Sequence, residues 1–278
     1  MSRSHHNLDW IHIGMRENIH VGHFDEEGRL WWGRVIIDVI SHGPIDEKVG
    51  MGQDLRLYKQ RIRDALKRAL DHGVIISGHQ PAIMRACQKN NMRVIQTLDG
   101  NLWWLPIVIY DELSHAIHTP LELRLLRIKM GRQSWQVLDG QLDKVHSPKK
   151  KSSWECSLVF GHRIQGLDIC GSIHSHTWTP KVQFSRPLTN EEYERITTKI
   201  GTKLRESWEG KWVLHKDDKF WKHLPFSKRL STNPTTEVIS IAMIREIEDV
   251  LRKENSDVQI DHFELWETPT NFVTTMIK

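Results

Sequence analysis

The chain has 278 residues, 38% hydrophobic and 27% charged, with a formal net charge of +4 from 39 basic and 35 acidic side chains. That balance supports one large core or two ordinary ones and excludes a disordered chain. The longest apolar run, around Leu102–Tyr110, is too short to span a bilayer, and MSRSHHNLDW lacks the apolar segment of a secretory signal.

In chain order, Arg34–Ile40 (RVIIDVI) is rich in β-branched residues and predicts a strand. SHGPIDEKVGMG then predicts a loop, with Asp54 as an N-cap. Leu55, Tyr58, Ile62, Leu66 and Leu70 line one face of a helix that stops at Asp71-His72-Gly73. A second helix is expected from Pro120 to about Met130. The polar, Pro-containing stretch His146–Ser153 (HSPKKKSS) divides the chain into residues 1–146, a linker at 147–153, and residues 154–278. Beyond it, Ser157–Phe160 and Ile173–Phe184 predict strands and Asn190–Leu204 a helix. A long loop covers Trp208–Asn233, and Pro234 opens the first turn of a helix reaching Leu251. Gln259–Glu267 and Asn271–Ile277 close the chain as strands. Each half thus combines strand pairs with two helices, an α+β arrangement, and the halves look like diverged copies of one unit.

Three cysteines, Cys87, Cys156 and Cys170, are too few for a disulfide framework, so a reduced, cytoplasmic protein is expected. The basic stretches, Ser147–Ser153 and 56–68, are not interleaved with stacking aromatics, which disfavours nucleic acid as a partner. The mild basic excess suits a phosphorylated small substrate. Among 17 histidines, only spacing can promote some to ligands. In ICGSIHSHTW, His174 and His176 lie two apart in a predicted strand, so both imidazoles face one side. His162, in LVFGHRI, ends the preceding strand and can reach that side. Three neutral imidazoles leave one tetrahedral position open, as catalytic zinc requires. Cys170 lies four residues before His174, where a cation would favour its thiolate. The alternatives for Cys170 are a fourth, structural ligand or an inert thiol, the reading given to Cys87 and Cys156.

CGSIHSH resembles the CxxxHGH motif of the 6-pyruvoyltetrahydropterin and 6-carboxytetrahydropterin synthases, and VFGHRI resembles their FxAAH. Asn233-Pro-Thr-Thr-Glu237 is similar to their PTxE helix start, and Trp266-Glu267-Thr268 to their ET strand. The four motifs keep the family's order across Ser157–Lys278. The resemblance implies a T-fold: a four-stranded antiparallel sheet with two helices on one face, assembling as a homo-oligomer into a barrel. It implies a zinc-dependent lyase acting on 7,8-dihydroneopterin triphosphate, with Zn2+ on His162, His174 and His176 and Cys170 abstracting the proton. Glu267 would pair with the pterin N–H groups. Thr268 stands beside that anchor or is a plain strand residue. Glu237 belongs to the binding set or is ordinary helix N-terminal charge. The close Cys-to-His spacing favours the 6-carboxytetrahydropterin branch, on the route to 7-deazaguanine nucleosides such as queuosine. The alternatives are 6-pyruvoyltetrahydropterin formation by triphosphate elimination, or an inactive pterin-binding scaffold.

Two departures stand out. Ser175 replaces the glycine between the ligands, and the C-terminal half lacks the family's Asp-His dyad, with His215 its nearest substitute. The dyad occurs instead in the N-terminal half, where RDALKRALDHG resembles the family's helix ending in LDH and places Asp71 and His72 at the dyad positions. That half has no convincing metal strand, because His20 and His23 are three apart. The expectation is a tandem T-fold: a degenerate half at 1–146 supplying Asp71 and His72, and a half at 154–278 supplying zinc, Cys170 and Glu267. The alternative reading of Asp71-His72-Gly73 is a helix C-terminus and nothing more.

Overall fold

The computed structural model describes residues 11–24, 29–43, 55–117, 121–144, 151–165, 171–224 and 226–276. Asp54, most of the loop at 41–52, linker residues 147–150 and Cys170 lie outside them. The chain divides into two compact units, one built from Gly14–Gly43 and Asp54–His146, the other on Ser147–Lys278. Both mix helices with sheet, as an α+β reading expects.

The N-terminal unit runs β1 (Ile11–Phe24), β2 (Leu30–His42), α1 (Leu55–Ala69), β3 (Gly73–Ser77), α2 (Pro81–Lys89), β4 (Arg93–Thr97), α3 (Leu105–Ala116), β5 (Glu122–Met130), β6 (Gln133–Leu138) and β7 (Gln141–Lys144). Its sheet follows the order β1-β2-β5-β6-β7, and the ladders from β2 to β7 are antiparallel. Alternation sorts each strand's side chains. Val35, Ile37 and Val39 of β2, Leu126 and Ile128 of β5, and Trp135 and Val137 of β6 are all buried. The apolar stripes of α1 (Tyr58, Ile62, Leu66) and α3 (Leu105, Ile109, Leu113) are buried too, each large side chain contributing roughly 2 kcal/mol by its burial. A parallel β3-α2-β4 unit is added through pairing of β3 with the end of β1 and with β4. At its start a Cβ on Gly73 would lie 2.7 Å from Ile95 Cδ1 and 2.8 Å from the Leu70 carbonyl, so only glycine fits.

The helix expected from Pro120 to Met130 is instead strand β5; residues 118–120 lie outside the description. Leu123 and Leu126 have helical spacing, but the nine residues are held between β2 and β6 by two antiparallel ladders, and that pairing overrides local propensity. The unit's second long helix is α3, which opens within the apolar run around Leu102–Tyr110.

The C-terminal unit runs β8 (Ser153–Glu155), β9 (Leu158–His162), β10 (His174–Phe184), α4 (Asn190–Trp208), β11 (Trp212–His215), β12 (Ser227–Leu230), α5 (Thr236–Lys253), β13 (Ile260–Thr268) and β14 (Asn271–Met276). The sheet order is β12-β11-β9-β10-β13-β14, with β8 on the far part of β10. Antiparallel ladders join β9 through β14, and the short β11 lies parallel to both its neighbours. Thr189 and Glu192 form a capping box at the start of α4. Ile196, Ile200, Leu204 and Trp208 of α4 recur every four residues. With Ile239, Met243 and Ile247 of α5 they join Phe160, Trp178, Val182 and Phe263 of the sheet in one buried cluster. Within 208–233, read from sequence as loop, the chain forms β11, a 3-10 turn at Lys219–His223 and β12. Pro234 precedes the Thr235 N-cap of α5 and is not in its first turn. In each unit the helices fall between the second and third strands of an ordered set, β1-β2-β5-β6 and β9-β10-β13-β14.

Candidate metal centre

His162, His174, His176 and Glu267 bring one ligand atom each to within 4.8 Å of one another. Antiparallel register sets His174 directly beside His162 and His176 beside Phe160. Along β10, His174 and His176 share the parity of the buried Trp178 and Val182, so the imidazoles sit on the sheet's core face at the end of the strand. Trp178 closes the cluster from below. It stacks on Phe160 with centroids 4.7 Å apart and meets the His162 and His176 rings edge-on at 5.2 and 5.7 Å. The start of α5 lies alongside, its Thr236 hydroxyl donating to Glu267 Oε2 at 3.1 Å. A register shift between Trp266 and Thr268 breaks the β13–β14 ladder at Glu267.

The hydrogen bonds decide the tautomers. His162 Nδ1 lies 2.8 Å from the Pro234 carbonyl, and His174 Nδ1 lies 2.8 Å from that of Ser172. Carbonyl oxygens only accept, so both Nδ1 atoms carry protons, and each ring when neutral presents its lone pair at Nε2. Those Nε2 atoms are 3.1 Å apart. Two facing lone pairs repel unless a cation or a shared proton stands between them. Two imidazoles bound to one tetrahedral ion at about 2.05 Å would have their nitrogens roughly 3.3 Å apart, so the spacing fits a zinc-type ion. The fixed Nδ1–H groups are the outer contacts that orient metal-binding histidines. Glu267 Oε1 lies 3.4 Å from His162 Nε2 and 3.5 Å from His176 Nε2.

His162 is 1% exposed. Burial holds the His176 imidazole below its ordinary value, the His162 and His174 charges add to this, and Glu267 opposes it. At Glu267 burial raises the carboxyl, but protonation of His162, acting through a hydrogen bond and its charge, the charge of a protonated His176 and the Thr236 hydroxyl hold it below its usual range. Glu237 is buried with Oε1 lacking a hydrogen-bond partner among the described residues. Burial pushes its carboxyl up to about 7, hydrogen bonds at its own backbone and at Thr235 lower it, and the Glu267 charge adds to the rise.

Of the other residues singled out in the sequence, Cys170 lies outside the described residues. The two residues after it are anchored beside the metal ligands: the Gly171 carbonyl accepts from Arg163 Nε at 2.6 Å, and Ser172 holds His174. Thr268 accepts through Oγ1 from the backbone N–H of Asn271 at 3.1 Å, which gives it a part in closing the β13–β14 turn. Cys87 is raised by burial and Cys156 is pushed up to about 11 by burial, so neither is a ready thiolate. Asp71 and His72 follow α1 in the N-terminal unit, with His72 Nδ1 3.3 Å from Asp71 Oδ1. Sequence reasoning passed over Arg163 and Asp218, which pair at 3.4 Å and line a pocket with Gln165, Phe220 and His223. Arg163 directly follows a predicted ligand, which was the available signal. His215 ends β11, where Val213 pairs with His162 in parallel, so two residues on His215 takes the sheet face of the metal cluster.

Residues 151–277 match the family model described as 6-pyruvoyl tetrahydropterin synthase. No curated protein matches the chain. Among solved structures, it is similar to an uncharacterized protein from Wolinella succinogenes at 13% identity, covering 46% of this chain and 98% of that one, with a TM-score of 0.40. It is similar to the 6-pyruvoyl tetrahydropterin synthase of Caenorhabditis elegans at 17% identity, covering 46% of this chain and 96% of that one (TM-score 0.34). The Plasmodium falciparum 6-pyruvoyl tetrahydropterin synthase matches at 15% identity, with 46% and 98% covered (TM-score 0.32). No helix among the described residues is long and apolar enough to cross a membrane. The four sequence motifs and the match to the family model fall on the same segment, residues 151–277, which is a little under half of the chain.

Proposed function

We propose that the C-terminal unit is a zinc-dependent lyase that converts 7,8-dihydroneopterin triphosphate to 6-carboxy-5,6,7,8-tetrahydropterin. The observation that carries this reading is the pair of facing imidazole lone pairs on His162 and His174, 3.1 Å apart, inside a segment matched to a pterin synthase family. Zinc bound there would polarise the hydroxyls of the substrate side chain. His162, His174 and His176 hold the ion. Glu267 takes the pterin N–H groups, steadied by the Thr236 hydroxyl, with Glu237 behind it. Cys170 removes the proton, and its neighbours Gly171 and Ser172 are tied to Arg163 and His174. In this reading the two units are tandem T-fold halves, at 1–146 and 154–278, of a homo-oligomeric cytoplasmic enzyme on a 7-deazaguanine route.

Two proton partners suit Cys170. Asp71 and His72 are supported by their 3.3 Å contact and by the helix ending that resembles the family's dyad. His215 is supported by the register that sets it on the metal-bearing face of its own sheet, and its Nδ1 accepts from the Asp217 backbone at 3.2 Å. The register argument is the more direct.

The test is incubation of the zinc-loaded protein with dihydroneopterin triphosphate and identification of the product. 6-Carboxytetrahydropterin sustains the proposal; 6-pyruvoyltetrahydropterin with released triphosphate replaces it with the second synthase reaction. Pterin binding without turnover would make the protein a binding scaffold. Cys170→Ala should abolish turnover while leaving bound zinc unchanged. Loss of activity in His215→Ala but not His72→Ala assigns the proton partner to His215, and the reverse assigns it to His72.

A further inference from the structure

We infer that His20, Asp71 and His72 of the N-terminal unit form a second metal site, which takes a first-row divalent ion such as Zn2+ or Ni2+. Each offers one ligand atom, all within 4.8 Å of one another. The donors come from strand β1 and from the turn that follows α1, and the backbone locks the two together. The His72 N–H donates to the His20 carbonyl at 2.8 Å, and the His20 N–H donates to Asp71 Oδ1 at 2.9 Å. Arg93 Nη1 holds the Asp71 carbonyl at 2.7 Å. His72 has φ +59°, a left-handed conformation that few non-glycine residues adopt, in the turn where chain direction reverses between α1 and β3.

The donor chemistry selects the ion. Two imidazoles with one carboxylate suit zinc, nickel, cobalt or iron, whereas calcium and magnesium prefer all-oxygen shells. Asp71 Oδ1 is shared between the His20 N–H and the His72 ring, which leaves Oδ2 for coordination. The His20 and His72 rings stand edge-to-face with centroids 5.8 Å apart, and no hydrogen bond claims the His20 ring nitrogens among the described residues. The His72 side chain is 72% exposed, so water can fill the remaining positions. The half-exposed Trp32 ring meets His72 at 6.5 Å and would sense an ion there.

This inference goes beyond the lyase reading and shares with it only Asp71 and His72, one of its two candidate proton partners. An ion on His72 would occupy the group wanted as a proton carrier, so the site is compatible with His215 as the partner of Cys170. The full-length protein is titrated with Zn2+ against a chromophoric chelator, and bound metal is counted by elemental analysis. Wild type is expected to bind two ions per chain, His20→Ala one, His174→Ala one, and the His20→Ala/His174→Ala double variant none. Loss of one of the three donors should weaken the N-terminal ion at least ~10-fold. Ni2+ should quench part of the tryptophan fluorescence, and the quench should disappear in His20→Ala and in Trp32→Phe, both with unchanged thermal melts. A single ion in wild type that vanishes in His174→Ala would overturn the inference while leaving the C-terminal centre intact. Two ions retained in His20→Ala would also overturn it, as would Ni2+ quenching that persists in Trp32→Phe.

Discussion

The Nε2 atoms of His162 and His174 face each other at 3.1 Å while both Nδ1 atoms donate to backbone carbonyls. Without a cation or a shared proton this arrangement sets two lone pairs against one another beside the Glu267 carboxylate, with His162 buried and the other three residues partly buried. Metal binding should therefore stabilise the fold strongly. At a thousandfold excess of zinc over its Kd, the linkage amounts to about 4 kcal/mol. Chelation should lower the melting temperature of wild type by several degrees, and the shift should be clearly smaller in His174→Ala, which keeps only the exposed N-terminal ion inferred above. Equal chelator sensitivity in the two proteins would remove the metal from this cluster.

Thr236 offers a subtler probe. Its hydroxyl donates to Glu267 Oε2 at 3.1 Å, and its Cβ branch packs in a position that is only 6% exposed. Thr236→Val keeps the shape and deletes the donor. The carboxylate then loses one of the groups that keep it ionised and aligned, so zinc affinity should fall ~10-fold, the scale for lost outer contacts. Global stability should change by less than about 1.5 kcal/mol. Competition with a fluorescent chelator reads the first quantity and denaturant melts the second. An unchanged zinc affinity would show that Glu267 needs no help from α5.

Trp178 links core packing to the metal site. It is fully buried, stacks on Phe160, and donates from Nε1 to the Phe160 carbonyl at 3.1 Å. Trp178→Phe should cost about 2 kcal/mol, from lost contact area and one lost buried hydrogen bond. It should also loosen His162 and His176, whose rings rest edge-on against the indole. Denaturant melts with and without zinc should therefore show a larger loss in the zinc-loaded protein. Equal losses in both would confine Trp178 to the core.

The parts of the site that depend on local periodicity were legible in the sequence. The two-residue spacing of His174 and His176 translated directly into a shared strand face, and the helical stripes of α1, α4 and α5 translated into buried faces. Contacts that depend on register were not legible. The meeting of Glu267 with the histidines needs a break in the β13–β14 ladder, and the alignment of His215 with the metal face needs the parallel pairing of β11 with β9. Parity correctly separates His20 from His23, yet it has nothing to say about a strand histidine meeting residues at a helix end, where His20 joins Asp71 and His72. The misread helix at 120–130 has the same origin: its leucines satisfy both periods, and only long-range ladders to β2 and β6 choose between them.

Glu192 predicts how acid should act on the C-terminal unit. Arg186 hydrogen-bonds its carboxylate at 2.8 Å, the Thr189 backbone N–H donates to it at 2.9 Å, and the capping box at the start of α4 depends on it. The Arg186 hydrogen bond first, and the Thr189 N–H second, hold the carboxyl down to about 2 from its ordinary 4.5. Because the folded value is depressed, the stabilisation is complete above about 4.5 and drains away as pH falls towards 2. Glu192→Gln removes the charge but keeps a side chain that can still accept from the Thr189 N–H. It should melt below wild type near neutral pH, and the gap should narrow steadily through that acidic window. The gap should also shrink in high salt, since the Arg186 pair faces solvent. Melting curves of both proteins across the pH series check this, and a gap constant with pH would leave the capping box without an ionic component.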